Sequence, residues 1–576
     1  MKRWILLLFG LTLTAIVNAQ VEEDWEKRIR DSQSDARKEF EDFKRQAQNE
    51  YEDFRRKANE EYAKFMEEAW KFFDVHPSEE IPWQPKPPQP IYADNESIPE
   101  DPLPDPRIAP ELVQPPLPMK TPKFTPVPEP DPEPIPIPDP INIPDPLQEE
   151  VPVPDPIPAP NTVTQEEATP IPNPFPVPVP FVKAEPIAFE GVLVAPKPIE
   201  RPQPLEPIQP RNISKAATYT LYLYGSSFPF HFEKDKTLKL RDISEKSVAK
   251  MWTLLSDSYF DDIIAECLQQ RDERNLCDWA YVKLTEHVAE RYCGAKTNEA
   301  VVMQMYLLTQ SGYQMRIARA SDKLTLLMGS SEKIYRYKYF VLDNLKFYIL
   351  DKSLQDAGMS VFDHAFPKEK PLSLALTQPK LNVERTEKRT VFSKRYPDVK
   401  VTVETNRNLL DFFNDYPLSA QWPYYSMASM SNVLKEDLYP VLRKAIEGKS
   451  ELDAVNILLN FVQTGFEYAT DDDQFGYERP LYPDETFFYP YCDCEDRSIL
   501  FSCLVRELVG LDVVMLNFPK HLATAVHFNE KVAGSYLTVD DKTYIICDPT
   551  FIGAAVGRCA KEYKEIEPRV VKFYEK

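Results

Sequence analysis

The chain has 576 residues, too many for one domain and enough for two or three. Its formal charge of −23, with no basic stripe, argues against a nucleic-acid partner, because nothing offsets phosphate repulsion. There are 57 prolines against 14 glycines, most of the prolines between about 77 and 210, so part of the length is unsuited to building a core.

Residues 1–19 read as a secretory signal. Lys2 and Arg3 give the positive start, Trp4 to Val17 the apolar stretch, and Val17-Asn18-Ala19 the small-residue cleavage site. The apolar stretch is shorter than the ~20 residues of a membrane span. A secreted or periplasmic protein without stable membrane insertion is therefore expected.

Residues 20–75 are predicted as one long charged helix with an 11-residue repeat. Ala36, Ala47, Ala58 and Ala69 recur, then Phe40, Tyr51, Tyr62 and Phe73, then Phe43, Phe54 and Phe65. Offsets of four and seven residues put all three sets on one face of a straight or slightly right-handed coil. An apolar seam over residues 22–74 implies a partner, either a second copy or another protein. Residues 76–215 are proline-rich and acidic, and are predicted as an extended, semi-rigid linker.

From about 216 the composition is that of an α+β globular protein. TYTLYLYG and YKYFVLDNLKFYILD alternate as strands do. SEKSVAKMWTLLSDSYFDDIIAECLQQ and DAVNILLNFVQTGF carry helical periodicity. Of the eight cysteines, Cys267, Cys277 and Cys293 are the candidates for one bridge.

Chemistry concentrates in PYCDCEDRSILFSCLVRELVGLDVVMLNFPKHLATAVHF and the later YIICDPTF. Asp493 is a predicted N-cap and Gly510 a predicted helix end. Cys494 then falls in the first turn, where free N–H groups and the helix dipole stabilise a thiolate. His521 opens the strand LATAVHF, and Asp548 ends the strand YIIC. Helix-start cysteine, strand-start histidine and strand-end aspartate supply a nucleophile, a base and a group that orients the base. His527 shares the strand face of His521 and is the rival base. Cys492-x-Cys494 lacks a second ligand pair, so no metal or organic cofactor is implied.

Cys-Glu-Asp on a helix, then a strand-heading His, then Asp-Pro-Thr resembles the transglutaminase-like superfamily, here an exported bacterial member. The resemblance covers roughly 430 to 576. It implies a papain-like α+β core in 431–576, with Cys494 as nucleophile, His521 as general base and acid, and Asp548 as its orienting partner. It implies thiol acyl transfer on peptide or amide substrates. Transglutaminases proper place a tryptophan upstream of the nucleophile, and none lies in the 70 residues before Cys494. Hydrolysis by a protease or amidase is thereby favoured over crosslinking. The N–H of Cys494 is one candidate oxyanion donor, and Tyr489 and Tyr491 are candidates for the second. The alternative is a non-catalytic binding or scaffold protein of the cell envelope.

Residues 296–353 align with this segment when Gly312 is set on Gly510. A degenerate copy is therefore expected in 216–364, joined to the catalytic one by a strand-rich segment at 365–430. In it Lys296 falls on Cys494, Lys323 on His521 and Asp351 on Asp548, so this copy is expected to be inactive.

Overall fold

The computed structural model describes residues 35, 37–40, 42–47, 49–82, 86–87, 89–93, 185–195, 197–208, 219–231, 237–354, 358–419 and 421–574. They belong to one compact unit, residues 1–100 and 183–576. The predicted signal and most of the predicted linker lie outside the described residues. Among the described residues no helix is long and apolar enough to cross a membrane. The architecture is α+β.

Helix α1 (49–66) is the described end of the charged helix, and it stops nine residues short of the predicted 75. Strand β1 (Lys71–Asp74) follows and pairs with the first domain, so Phe73 sits in a sheet and not on the helical seam. The seam itself divides. Tyr62 and Met66 are buried on the chain's own first domain, while Phe40, Phe43, Tyr51 and Phe54 remain exposed. Arg55 forms a buried ion pair with Asp261, which anchors the helix in cis.

Both ends of the predicted linker are built into the fold. Strands β2 (Ile91–Tyr92), β3 (Glu185–Pro186) and β4 (Gly191–Val194) each add to an edge in the second domain, where proline's missing N–H is tolerated. The linker boundaries at 76 and 215 are corrected accordingly.

The first domain opens with the hairpin β5 (Tyr219–Leu223) and β6 (Ser226–Phe230). Helices α2 (Glu245–Leu255), α3 (Asp261–Glu273), α4 (Asp278–Cys293) and α5 (Asn298–Gln310) follow. Then come strands β7 (Met315–Ala320), β8 (Lys323–Ser330), β9 (Tyr339–Leu342), β10 (Leu345–Ile349) and β11 (Gly358–Phe362). The strand order in the sheet is β1-β11-β7-β8-β10-β9.

The hairpin β12 (Arg389–Phe392) and β13 (Lys400–Val403) and helices α6 (Arg407–Asp415) and α7 (Trp422–Met427) lead to the second domain. There α8 (Asn432–Ile446), α9 (Glu451–Gly465), β14 (Glu467–Tyr468), α10 (Asp471–Phe475), α11 (Pro483–Phe488) and β15 (Tyr491–Cys492) precede α12 (Cys494–Leu504). Strands β16 (Asp512–Phe518), β17 (His521–His527), β18 (Ser535–Val539), β19 (Lys542–Cys547), β20 (Phe551–Ile552) and β21 (Arg569–Lys572) complete it. The strand order here is β3-β18-β19-β17-β16-β21-β4.

Apart from the strands donated by N-terminal segments, the two sheets have one topology. Ordered β11-β7-β8-β10-β9 and β21-β16-β17-β19-β18, both are antiparallel throughout and both follow a helix that ends at a left-handed or near-left-handed glycine, Gly312 or Gly510. Their outer hairpins match in detail. Asp343-Asn344 and Asp540-Asp541 each form a two-residue turn with both φ angles positive, a conformation that short polar side chains tolerate. Helix α12 is buried along its whole length, packed between β17, α7, α9 and α11, which is why its apolar residues show little one-sided pattern.

No disulfide joins Cys267, Cys277 and Cys293, so the candidate bridge among them is not formed. Cys267 and Cys277 sit in the core, and the Cys293 thiol lies 3.7 Å from Met303 Sδ.

Candidate active site

Asp493 caps α12, and its N–H donates to Asp496 Oδ2 at 3.2 Å in a capping box. Asp496 Oδ1 accepts the N–H of Leu481 at 2.8 Å, fixing the loop before the helix. Ser498 Oγ donates to Leu522 O at 2.9 Å, which pins the first turn of α12 to the start of β17. Gln463 Nε2 donates to the carbonyls of Asp548, Phe551 and Ala554, at 3.1, 2.8 and 3.0 Å, and so fixes the turn after β19. Helix start, strand start and strand end are thus tied together by buried hydrogen bonds.

Within that frame His521 Nε2 lies 2.8 Å from Asp548 Oδ2, both side chains buried. Asp548 Oδ1 accepts the N–H groups of Thr550 and Phe551, at 2.8 and 3.2 Å. One carboxylate therefore both forms the turn and orients the histidine. The imidazole stacks on Tyr563, with ring centroids 4.7 Å apart and planes 19° apart. With Nε2 engaged by the carboxylate, Nδ1 is the remaining nitrogen, and it is buried without a hydrogen-bond partner. Cys494 is only 1 % exposed, and the backbone of Leu522, the residue after His521, favours its charged form.

The charge around the thiol differs from the expectation. Burial pushes the Cys494 thiol well above its ordinary value, and the Glu495 and Asp493 carboxylates push it further. The thiol itself donates to Glu495 Oε2 at 3.3 Å. Helix-start placement alone does not make a thiolate here, because desolvation and adjacent carboxylates outweigh the dipole.

The counterweight is a residue absent from the sequence-based site. Lys86 reaches in from the proline-rich segment with its side chain 6 % exposed. Its ammonium lies 2.6 Å from Asp493, 2.8 Å from Glu478 and 3.7 Å from Asp471, and bonds Glu495. Burial works against its charge, but Glu495, Asp493 and Asp471 prevail and hold its pKa well above the usual lysine value. Burial pushes the Asp493 carboxyl up to about 7, helped by Glu495 and opposed by Lys86. These carboxylates converge closely enough to hold a cation, and Lys86 supplies one. Lys86 is the sole Lys or Arg between residues 77 and 106, and that isolation was the available signal.

His527 is engaged at the other end of β17, its Nδ1 2.9 Å from Thr543 O and its ring near Tyr544. Tyr489 Oη is committed to Asn414 Oδ1 at 3.1 Å. Tyr491 Cα pairs with Glu467 in the short parallel β14–β15 ladder. Cys503 is enclosed in the core, its thiol pushed up to about 12 by burial.

The residue that opens α5, as Cys494 opens α12, is Asn298 and not Lys296. Thr297 is the N-cap, so Lys296 precedes the helix with φ +56. Asn298 Oδ1 accepts the N–H of Leu324 at 2.8 Å, and Leu324 follows Lys323 as Leu522 follows His521. Before its glycine α12 runs on through a π-helical turn, Val505–Val509, whereas α5 ends at Gln310, two residues before Gly312. Lys323 and His521 do correspond, each opening the second strand of its hairpin opposite Ala320 or Phe518. Asp351 is exposed and turned to Ser353, bonding its N–H and hydroxyl at 2.9 and 2.6 Å.

No protein-family model matches the chain, and no curated protein or solved structure matches it.

Proposed function

We propose that the chain is an exported, transglutaminase-like cysteine enzyme that performs acyl transfer on peptide or amide substrates. The observation that carries the reading is the buried His521–Asp548 pair at the head of the strand that packs on the helix opened by Cys494, with Nδ1 left unpartnered. In this mechanism Nδ1 takes the thiol proton and Cys494 attacks the carbonyl carbon. The tetrahedral intermediate collapses as His521 returns the proton to the departing amine. Water activated by the same nitrogen then hydrolyses the thioester. Asp548 fixes the tautomer and ring orientation throughout. Hydrolysis is favoured over amine transfer, given the missing tryptophan.

The second domain is read as papain-like, its nucleophile heading a buried helix against an antiparallel sheet. The first is read as its degenerate copy, supported by the shared strand order and by Asn298 and Lys323 at the positions of Cys494 and His521. The exposed aromatic face of the N-terminal helix is assigned to a second copy or a protein partner.

The burial of Cys494 and its raised thiol pKa favour a second reading, a non-catalytic binding module of the cell envelope. Iodoacetamide labelling of Cys494, followed by peptide mass mapping across pH 5 to 9 in wild type and His521→Ala, separates the two. Labelling that His521→Ala slows near neutral pH supports the enzyme. Labelling indifferent to His521, with no turnover of peptide amides, leaves the binding module.

A further inference from the structure

The acidic pocket beside Cys494 is filled by the chain itself. Asp493 and Glu495 flank the nucleophile in sequence, Asp471 opens the short helix α10, and Glu478 closes the outer side. Lys86, 407 residues before Asp493, enters this pocket as its cation. An ammonium offers three donors on one small charged centre and suits several converging carboxylates. Asp493 Oδ1 is buried and still lacks a partner, so the pocket has capacity beyond the contacts that Lys86 makes.

Residues that follow the lysine are also held in place. Pro87 O accepts the Tyr468 hydroxyl at 2.9 Å. Further on, Ile91 and Tyr92 pair in parallel with Phe551 and Ile552, and the Ala93 N–H donates to Ile552 O at 3.1 Å. Phe551 lies three residues after Asp548. The segment thus runs from the nucleophile's helix to the turn that orients the histidine, held by main-chain pairing and one side chain in a pocket. That is how an extended peptide is bound at a strand edge, with the backbone giving affinity and the pocket giving selectivity.

We propose that Asp471, Glu478, Asp493 and Glu495 form a subsite for a lysine side chain of a peptide substrate, and that Lys86 occupies it in cis, keeping the resting chain latent. The proposal rests on Cys494 being the nucleophile. Lys86 stands between Pro85 and Pro87, whose fixed φ makes it a stiff occupant. Departure of the segment exposes the thiol and frees the pocket for another lysine.

The test uses the full chain and its Lys86→Ala variant, with two probes, the acetylated and amidated peptide QPKPPQP and the same peptide carrying norleucine for lysine. The expected result is at least tenfold faster iodoacetamide labelling of Cys494 in Lys86→Ala. The lysine peptide should slow labelling again and raise the melting temperature, and the norleucine peptide should do neither. Unchanged labelling in a folded variant overturns the proposal, as does equal protection by both peptides, or protection by calcium ions and not by the lysine peptide. If Lys86→Ala does not fold by circular dichroism, Glu478→Gln at the pocket's outer side replaces it. Severalfold faster labelling is then expected, and an unchanged rate overturns the proposal. Adding His521→Ala to the variant used keeps the two readings apart. Labelling independent of His521 defeats the enzyme reading, while the two peptides still decide the lysine subsite.

Discussion

His521 and Asp548 are joined at 2.8 Å through one carboxylate oxygen, while the other oxygen of Asp548 holds the turn at Thr550 and Phe551. The two duties can be separated. Asp548→Asn keeps an oxygen for the turn but loses the charge that steadies the imidazole. It should fold with an almost unchanged melting temperature while peptide turnover falls about a hundredfold or more. Asp548→Ala loses both duties, and should add about 1–3 kcal/mol of destabilisation in urea unfolding. Equal turnover in wild type and Asp548→Asn would show that the pair is structural only.

Asp484 gives a pH dependence of known sign. Burial pushes its carboxyl up to about 6, with Oδ2 accepting the Ser431 N–H at 3.0 Å and Oδ1 buried without a partner. The unfolded carboxyl loses its proton near pH ~4, whereas the folded one keeps it until about 6. Between these values the folded state binds more protons, so this contribution to stability is full below ~4 and lost as pH rises to about 6. Asp484→Asn abolishes that loss. Relative to wild type, the variant should gain ~2 to 3 kcal/mol between pH 4 and pH 7. Parallel pH profiles of urea unfolding for the two proteins would count against this account.

Asn298 serves the first domain as a structural peg. Asn298→Ala leaves the Leu324 N–H without its acceptor and should cost about 1–3 kcal/mol, with Cys494 labelling unchanged. The double variant Asn298→Cys, Lys323→His should not gain an activated thiol, because Asp351 is committed to Ser353 and offers the histidine no orienting carboxylate. Rapid, pH-dependent labelling of that new thiol would overturn the assignment of Asp351.

Much of the second domain was legible because its signals are local. Asp493 as cap, Gly510 as stop and the alternation in LATAVHF are read from neighbouring residues, and they set Cys494 and His521 on adjacent elements. The charge state of Cys494 was not legible, since it depends on carboxylates gathered from 471, 478, 493 and 495 and on a lysine at 86. Composition also misled at the linker's ends. Proline-rich sequence is a poor core former, yet Ile91–Tyr92 and Gly191–Val194 need only an open edge to pair with, not a core of their own. The shift from Lys296 to Asn298 shows once the caps are seen, because Thr297 and Asp493 each precede the first helical residue.

The N-terminal helix was read as an element awaiting a partner, and its last turns find one in cis. Asn59 is 2 % exposed, and its amide pairs with that of Gln310 in both directions, at 3.0 and 3.1 Å. Its Oδ1 also accepts the indole N–H of the fully buried Trp252 at 3.0 Å. Asn59→Leu keeps the size but strands that indole and both polar atoms of Gln310 inside the core. The first domain should lose about 3 kcal/mol or more, and amides of α2 and α5 should exchange faster with deuterium. Substituting the exposed Phe54 with Gln should change stability by no more than ~0.5 kcal/mol, because that side chain is 48 % exposed. If Asn59→Leu were neutral, with exchange in α2 and α5 unaltered, the helix would be an independent appendage and the cis assignment would fall.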